Sequence, residues 1–278
     1  MLELLQKLGL PKVSASTQGP AIDHVISLTH WLMLILFVGW GIFFIYTLIR
    51  FRSSKNAKAE YSGVKNHYSS YLEAGVAVIE VALLIGFAFP IWASRVNDVP
   101  IDKEAVQIRV VGQQFAWNIH YPGPDGVFGN SSVDLVDEAE NPIGLDRSDD
   151  FAKDDVVTVN QLHIPVNTPI NISLSTKDVI HSFSLTELRV KQDAIPGMEI
   201  PVWFEATMTT EEFLKTTIGT GREGKGFEIA CAQLCGLGHY RMKGFLTVHN
   251  DEGYSAWLQK ELEYLEEEED DDWGDDEW

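Results

Sequence analysis

From Val25 to Ile49 the chain reads VISLTHWLMLILFVGWGIFFIYTLI, twenty-five residues without a formal charge. At a helical rise of ~1.5 Å per residue such a run covers ~37 Å, enough to cross a bilayer with some tilt. A cleaved secretory signal fits badly, because the run is too long, no basic segment precedes it and no small-residue cleavage site follows. A second span is expected over residues 71–94, YLEAGVAVIEVALLIGFAFPIWAS. The loop between them, residues 50–70, carries Arg50, Arg52, Lys55, Lys58 and Lys65 against the single acid Glu60. Basic short loops stay in the cytoplasm, so residues 1–24 and everything after residue 94 are expected outside. The fold expected is therefore membrane-anchored, with a two-helix hairpin over residues 25–94.

The second span carries two carboxyl groups. Glu73 lies near its cytoplasmic start and Glu80 seven residues further on, about two turns away and so on the same face. A carboxyl at membrane depth is costly and normally meets a partner helix or a water-filled path. Gly75, Ala82 and Gly86 permit close helix approach. The span thus reads as one that packs against membrane helices of other chains.

Residues 95–250 read as an all-β domain. The segment around Val106, Ile108 and Val110 alternates as a half-buried strand does. Short β-rich runs follow at 156–159, 170–175, 181–185, 202–207, 226–230 and 244–249, separated by Gly, Pro, Asn and Asp. That pattern suggests a sandwich or small barrel. Residues 121–155, rich in turn formers and acids, read as a long excursion between strands. Beyond Asn250, Tyr254, Trp257, Leu258 and Leu262 fall on one face of an amphipathic helix expected over 251–265. The acidic residues 266–278 are expected to be disordered.

The formal net charge is −20, and 12 of the 41 acids fall in the last 18 residues. Such a chain is a poor nucleic-acid binder and is repelled by anionic lipid, but it can attract a basic protein. Its two cysteines cannot staple 278 residues, so their use is chemical. Both occur in CAQLCGLGHYRM, residues 231–242, which offers Cys231, Cys235, His239 and Met242 on a loop between two strands. Two thiols, an imidazole and a thioether favour copper over hard cations. Structural zinc is the chemical rival, and Met242 argues against it. A disulfide and a thiol redox pair are the other readings of the two cysteines. No Cys-x-x-Cys-His is present, so no covalent haem is expected. One imidazole does not complete a copper site, and spacing leaves both His181 and His163 as candidates for another.

DVIHSF at 178–183 together with CAQLCGLGHYRM, behind two N-terminal spans, resembles subunit II of the haem–copper cytochrome c oxidases. LRVKQDAIPGM at 188–198, NPIGLDR at 141–147 and GQQFAWNIHY at 112–121 extend the resemblance over residues 25–250. The resemblance implies a cupredoxin-like Greek-key sandwich that holds the binuclear copper centre CuA. Cys231 and Cys235 would bridge two copper ions. His181 and His239 would each bind one, Met242 would give a weak thioether ligand, and the Gln233 carbonyl would be the last ligand. It implies electron transfer from a c-type cytochrome, soluble or held in a supercomplex, to haem in subunit I. There oxygen is reduced and protons are pumped, in a bacterial inner membrane and alongside other oxidase subunits. Glu73 would correspond to the carboxylate at the mouth of a proton path into subunit I.

The chain departs from the pattern in three places. Gln233 stands where the family often has a Glu that helps bind magnesium, and a neutral amide is the poorer ligand. FAW, residues 115–117, replaces an aromatic triplet, so electron acceptance falls to Phe115 or Trp117 as candidates. The acidic tail takes the place of the cytochrome c domain that some relatives fuse there. Three other classes fit the residues less well. A copper-free quinol oxidase subunit would lack the ligand set, nitrous oxide reductase needs a further large domain, and a mononuclear blue-copper carrier uses one cysteine.

Overall fold

The computed structural model describes residues 1–56, 58, 61–63, 65–97, 99–100 and 105–272. They form two compact units, one made of residues 1–12 and 20–98 and the other of 13–19 and 99–278.

The first unit holds α1 (Leu2–Lys7), most of α2 (Gly19–Arg50), α3 (Tyr68–Leu83) and α4 (Phe89–Asn97). Helix α2 is 32 residues long and apolar all round, as a helix in lipid must be. A π-turn over Leu84–Ala88 joins α3 to α4, giving a second helical run of 30 residues, Tyr68–Asn97. Pro90 explains the wide turn. Its ring cannot tolerate the carbonyl four residues back, and a locally widened helix relieves that clash. Both runs are long and apolar enough to span a membrane, and none of the apolar window of either is buried within the chain. They extend past the expected limits of 25–49 and 71–94 because Pro20 and Ala21 at one end, and Arg95 to Asn97 at the other, continue the helices beyond the apolar core.

The second unit is a sandwich of two five-stranded sheets. One runs β3 (Val156–Val159), β2 (Ala116–Tyr121), β1 (Val106–Gln113), β5 (Pro169–Thr176), β8 (Ile200–Glu205). The other runs β4 (Gln161–Pro165), β10 (Lys243–His249), β9 (Phe227–Cys231), β6 (His181–Leu185), β7 (Val190–Ala194). Alternate residues face inward, so Ile108, Val110, Ile170, Ile172 and Leu174 of one sheet meet Leu162, Ile164, Phe227, Ile229 and Leu246 of the other. Strand β6 is buried on both faces. Burial of each large apolar side chain contributes about 1.5–3 kcal/mol, and this shared interior holds the unit together without a disulfide.

Asn160 turns the chain from one sheet to the other. Its backbone takes a left-handed φ of 61°. Its N–H donates to the Trp117 carbonyl at 2.7 Å, and its carbonyl accepts from the Phe245 N–H at 2.8 Å. The excursion after β2 is closed by a buried hydrogen bond between His120 Nε2 and Asp155 Oδ2 at 2.6 Å. Arg147 donates to the carbonyls of Ala152 and Asp155, which gives NPIGLDR a structural task.

Residues 1–24, read in the sequence as one segment outside the membrane, divide between the two units, because residues 13–19 belong to the sandwich unit. Ala15 donates to the Glu187 carbonyl and accepts from the Thr207 N–H, Thr17 donates to the Glu205 carbonyl, and Ser16 bridges to Ala206. These contacts make a strap along the β8 edge. A short helix, α5 (Thr210–Thr216), precedes β9, and the C-terminal helix α6 is longer than expected, Asp251–Asp272, so 266–272 are helical rather than disordered. Glutamate is a good helix former, and extending a helix already held by Trp257, Leu258, Leu262 and Leu265 avoids the nucleation cost. The rest of the expected disordered tail, residues 273–278, lies outside the described residues.

Candidate metal centre

Neighbouring strands of one sheet bring the metal candidates together. His181 is the first residue of β6 and Cys231 the last of β9, and Phe183 pairs in register with Cys231. From Cys231 the chain enters the motif loop, makes a 3-10 turn at His239–Arg241 and returns as β10. Gly238 is required there, since a Cβ would collide with the Phe115 ring.

The donor atoms converge. His181 Nδ1 and the sulfurs of Cys231 and Cys235 all lie within 4.8 Å of one another. The sulfurs are 3.7 Å apart, and Cys231 Sγ is 3.9 Å from His181 Nδ1 and 3.2 Å from the Gln233 carbonyl oxygen. Cys235 Sγ lies 3.5 Å from His239 Nδ1 and 3.7 Å from Met242 Sδ. Every residue that the family resemblance implies as a ligand is therefore in this cluster. His163 is not; it lies on β4, at the opposite edge of the sheet from β6 and β7.

The donor set fits a soft metal ion. Both cysteines are unlinked. Burial, and then the neighbouring Cys231, push the Cys235 thiol up to about 11. Two close sulfurs resist ionisation unless a cation compensates, so the site as built calls for positive charge. Sulfur and imidazole donors without a carboxylate do not suit magnesium or calcium.

Several supporting residues escaped the sequence reading. Asp178 Oδ1 lies 2.8 Å from His181 Nε2, leaving Nδ1 to face the sulfurs. Burial alone would raise the Asp178 carboxyl. Hydrogen bonds from His181 and the N–H groups of Gln114 and Val179 outweigh that and hold it below the usual carboxylate range. Gln114 Nε2 donates to the Cys235 carbonyl at 2.5 Å. The signal available for Asp178 was its spacing, three residues before a histidine at a strand start.

Of the two electron-acceptance candidates, Trp117 is fully buried, with its ring 6.0 Å from that of His181. It cannot touch a docked donor, because the alternation of β2 turns it into the core. Phe115 is partly buried against the motif loop, with the Arg241 guanidinium 5.8 Å from its ring centre. Glu73 and Glu80 lie on α3, outside this unit, and both are exposed.

Residues 106–247 match the family profile described as cytochrome c oxidase subunit II, periplasmic domain. The alternative cytochrome c oxidase subunit 2 of Bradyrhizobium diazoefficiens is 33% identical over 247 residues, covering 88% of this chain and 82% of that protein. The chain belongs to the cytochrome c oxidase subunit II family. Cytochrome c oxidase subunit 2 of Cereibacter sphaeroides is 26% identical, over 92% of this chain and 83% of its own. A solved structure, the periplasmic domain of subunit II of cytochrome oxidase from Bradyrhizobium japonicum, is 28% identical. It covers 60% of this chain and 99% of its own, with a TM-score of 0.40. As a subunit II chain, the protein is part of a haem–copper oxidase complex, and its family implies copper at the cluster of His181, Cys231 and Cys235.

Proposed function

We propose that the chain is the electron-accepting subunit of its oxidase and holds a binuclear copper centre. The ligands are His181, Cys231, Cys235, His239, Met242 and the carbonyl of Gln233. The observation that carries this reading is the convergence of His181 Nδ1 and both sulfurs within 4.8 Å, with His239 and Met242 beside them. Bound there, two copper ions would supply one-electron exchange between a c-type cytochrome and haem in subunit I. The chain's own residues fix the donors before any metal arrives. Asp178 orients His181, Gln114 anchors the loop at Cys235, and burial of Cys235 and Met242 keeps water from the sulfurs. Leu234, Leu237 and Tyr240 stand exposed on the same loop, an apolar rim suited to cover by another protein. Oxygen reduction and proton pumping belong to subunit I, with Glu73 serving at the mouth of a proton path. Gln233, an amide, makes magnesium a weak occupant of its surroundings.

The strap supports the membrane topology. Residues 13–19 precede the first span, yet they pair with β8, which follows the second. Both must lie on one side of the membrane, as an even number of spans requires. The basic loop 50–70 supports that side being the outer one, across a bacterial inner membrane. The copper assignment is tested on the purified full chain. Wild type should bind two copper ions and give a mixed-valence spectrum. Cys231→Ser, Cys235→Ser and His181→Ala should lose that spectrum and His163→Ala should keep it. An unchanged spectrum in His181→Ala refutes the ligand set.

A further inference from the structure

His163 and His249 occupy the outer face of the second sheet, on the neighbouring strands β4 and β10. His163 Nδ1 and His249 Nε2 are 2.8 Å apart. Their ring centres lie 5.1 Å apart with planes inclined by 18°. That separation is the nitrogen–nitrogen distance plus one ring radius on each side, so the two nitrogens face each other in line. A gap of this length and direction holds one proton. A metal ion bound in line at about 2 Å from each nitrogen would need about 4 Å. Trp257 of α6 lies parallel over His163 at 4.4 Å and 2°, and Tyr121 and Tyr254 pack against Trp257 at 5.0 and 5.6 Å.

We propose that this pair is a proton-operated latch that holds the acidic helix α6 on the sandwich while it shares a single proton, and releases the helix when it takes up a second. The titratable groups nearby are Tyr121 on β2, whose hydroxyl bonds to the His163 backbone, Tyr254 and Glu261 on α6, which act on Tyr121, and Asp251 and Glu252, which follow His249 in the first turn of that helix. Burial, and then His249, lower His163 to about 4, and burial lowers His249 as well. The docked helix therefore disfavours the charged pair, although the Trp257 face taken alone would favour it. An undocked pair titrates near the ordinary histidine value of about 6.5. The sign follows from linkage. Docking is at full strength above about pH 6.5 and weakens as pH falls toward 4, by up to tenfold per pH unit for each proton taken up. Acid in the compartment that the domain faces thus frees an arm that carries Glu263, Glu266 and Glu267.

The test is hydrogen exchange of residues 251–267 in the full-length protein between pH 4 and 7.5, corrected for the intrinsic pH dependence of exchange. Protection in the wild type should fall at least tenfold from pH 7 to pH 4.5. In His163→Phe, which keeps a ring under Trp257, the fall should shrink to threefold or less. Protection in the wild type that stays level between pH 7 and 4.5 overturns the proposal without recourse to a variant. An undiminished fall in His163→Phe, with the copper spectrum intact as a check on folding, overturns it too. Trp257→Phe should keep the transition, because it changes the lid and not the titrating pair, and a lost transition there likewise counts against the latch.

Discussion

Asp178 Oδ1 lies 2.8 Å from His181 Nε2, and the same carboxylate accepts the N–H of Gln114 at 2.7 Å and that of Val179 at 2.6 Å. The imidazole is thereby fixed in one orientation by a group that is itself fixed twice. Outer-shell partners of this kind are typically worth about 10–100-fold in metal affinity. Asp178→Ala should lower copper affinity by about that factor, as read by chelator competition. Asp178→Asn keeps a hydrogen-bond acceptor and should lose less.

The strap makes a prediction about fragments. Three backbone hydrogen bonds hold it: Ala15 donates to the Glu187 carbonyl and accepts from the Thr207 N–H, and Thr17 donates to the Glu205 carbonyl. At about 1 kcal/mol net per bond, a fragment starting near residue 100 should be about 3 kcal/mol less stable than one to which residues 13–19 are fused. The difference in Tm should be about 6–12 °C by calorimetry. Equal melting would show that the strap adds nothing.

Burial raises Tyr254 to about 12 and holds Tyr121 well above its usual value. Their neutral forms are favoured in the fold, so their contribution is fully present below about pH 10 and is lost as pH rises through 10 toward 12. Denaturant titrations should show stability falling over that window. Tyr254→Phe should make the slope shallower by about 1.4 kcal/mol per pH unit.

Deleting residues 266–278 removes ten of the acids concentrated at the C-terminus. If these acids steer a basic cytochrome, the truncated oxidase should turn over more slowly than wild type at low salt and match it at high salt. Long-range attraction acts on encounter rate and decays over about 8 Å at physiological ionic strength. Superimposed salt curves would leave a permanently docked donor as the better account of electron supply.

Glu73→Gln should slow oxygen consumption while the copper spectrum stays unchanged, since α3 carries no copper ligand. Full turnover in that variant reduces Glu73 to a residue that snorkels to the membrane surface.

The elements legible in the sequence were those whose signal is local. Uncharged runs gave the spans, and the alternation in INISLS and HSFSL gave β5 and β6. Strand β4, QLHIP, was hidden because it directly follows β3 with only Asn160 between, and its proline and polar residues read as the end of one strand. Strand β7, VKQDA, has no apolar alternation and owes its place to pairing with β6. The strap has no β signal at all; Ala15 is buried because β8 offers it an edge. The motif loop was legible because cysteine and methionine are scarce and were used together. Asp178 and Gln114 were not, because each matters only through what the folded chain sets beside it. Spacing also could not separate His181 from His163, since what decides between them is which edge of the sheet each strand occupies.

The strap also imposes a schedule on synthesis. Ala15 leaves the ribosome roughly 190 residues ahead of Thr207, the later of its two backbone partners. At about 5–20 residues per second that interval is roughly ten to forty seconds. Both membrane helices are made within it, so on the proposed topology the N-terminal segment crosses the membrane and waits there unpaired. Copper cannot be fully bound in that time either, because Cys231 and Cys235 emerge later still. Every partner of the strap is thus made before Cys231, and the edge that receives residues 13–19 is complete in the chain before the metal loop is.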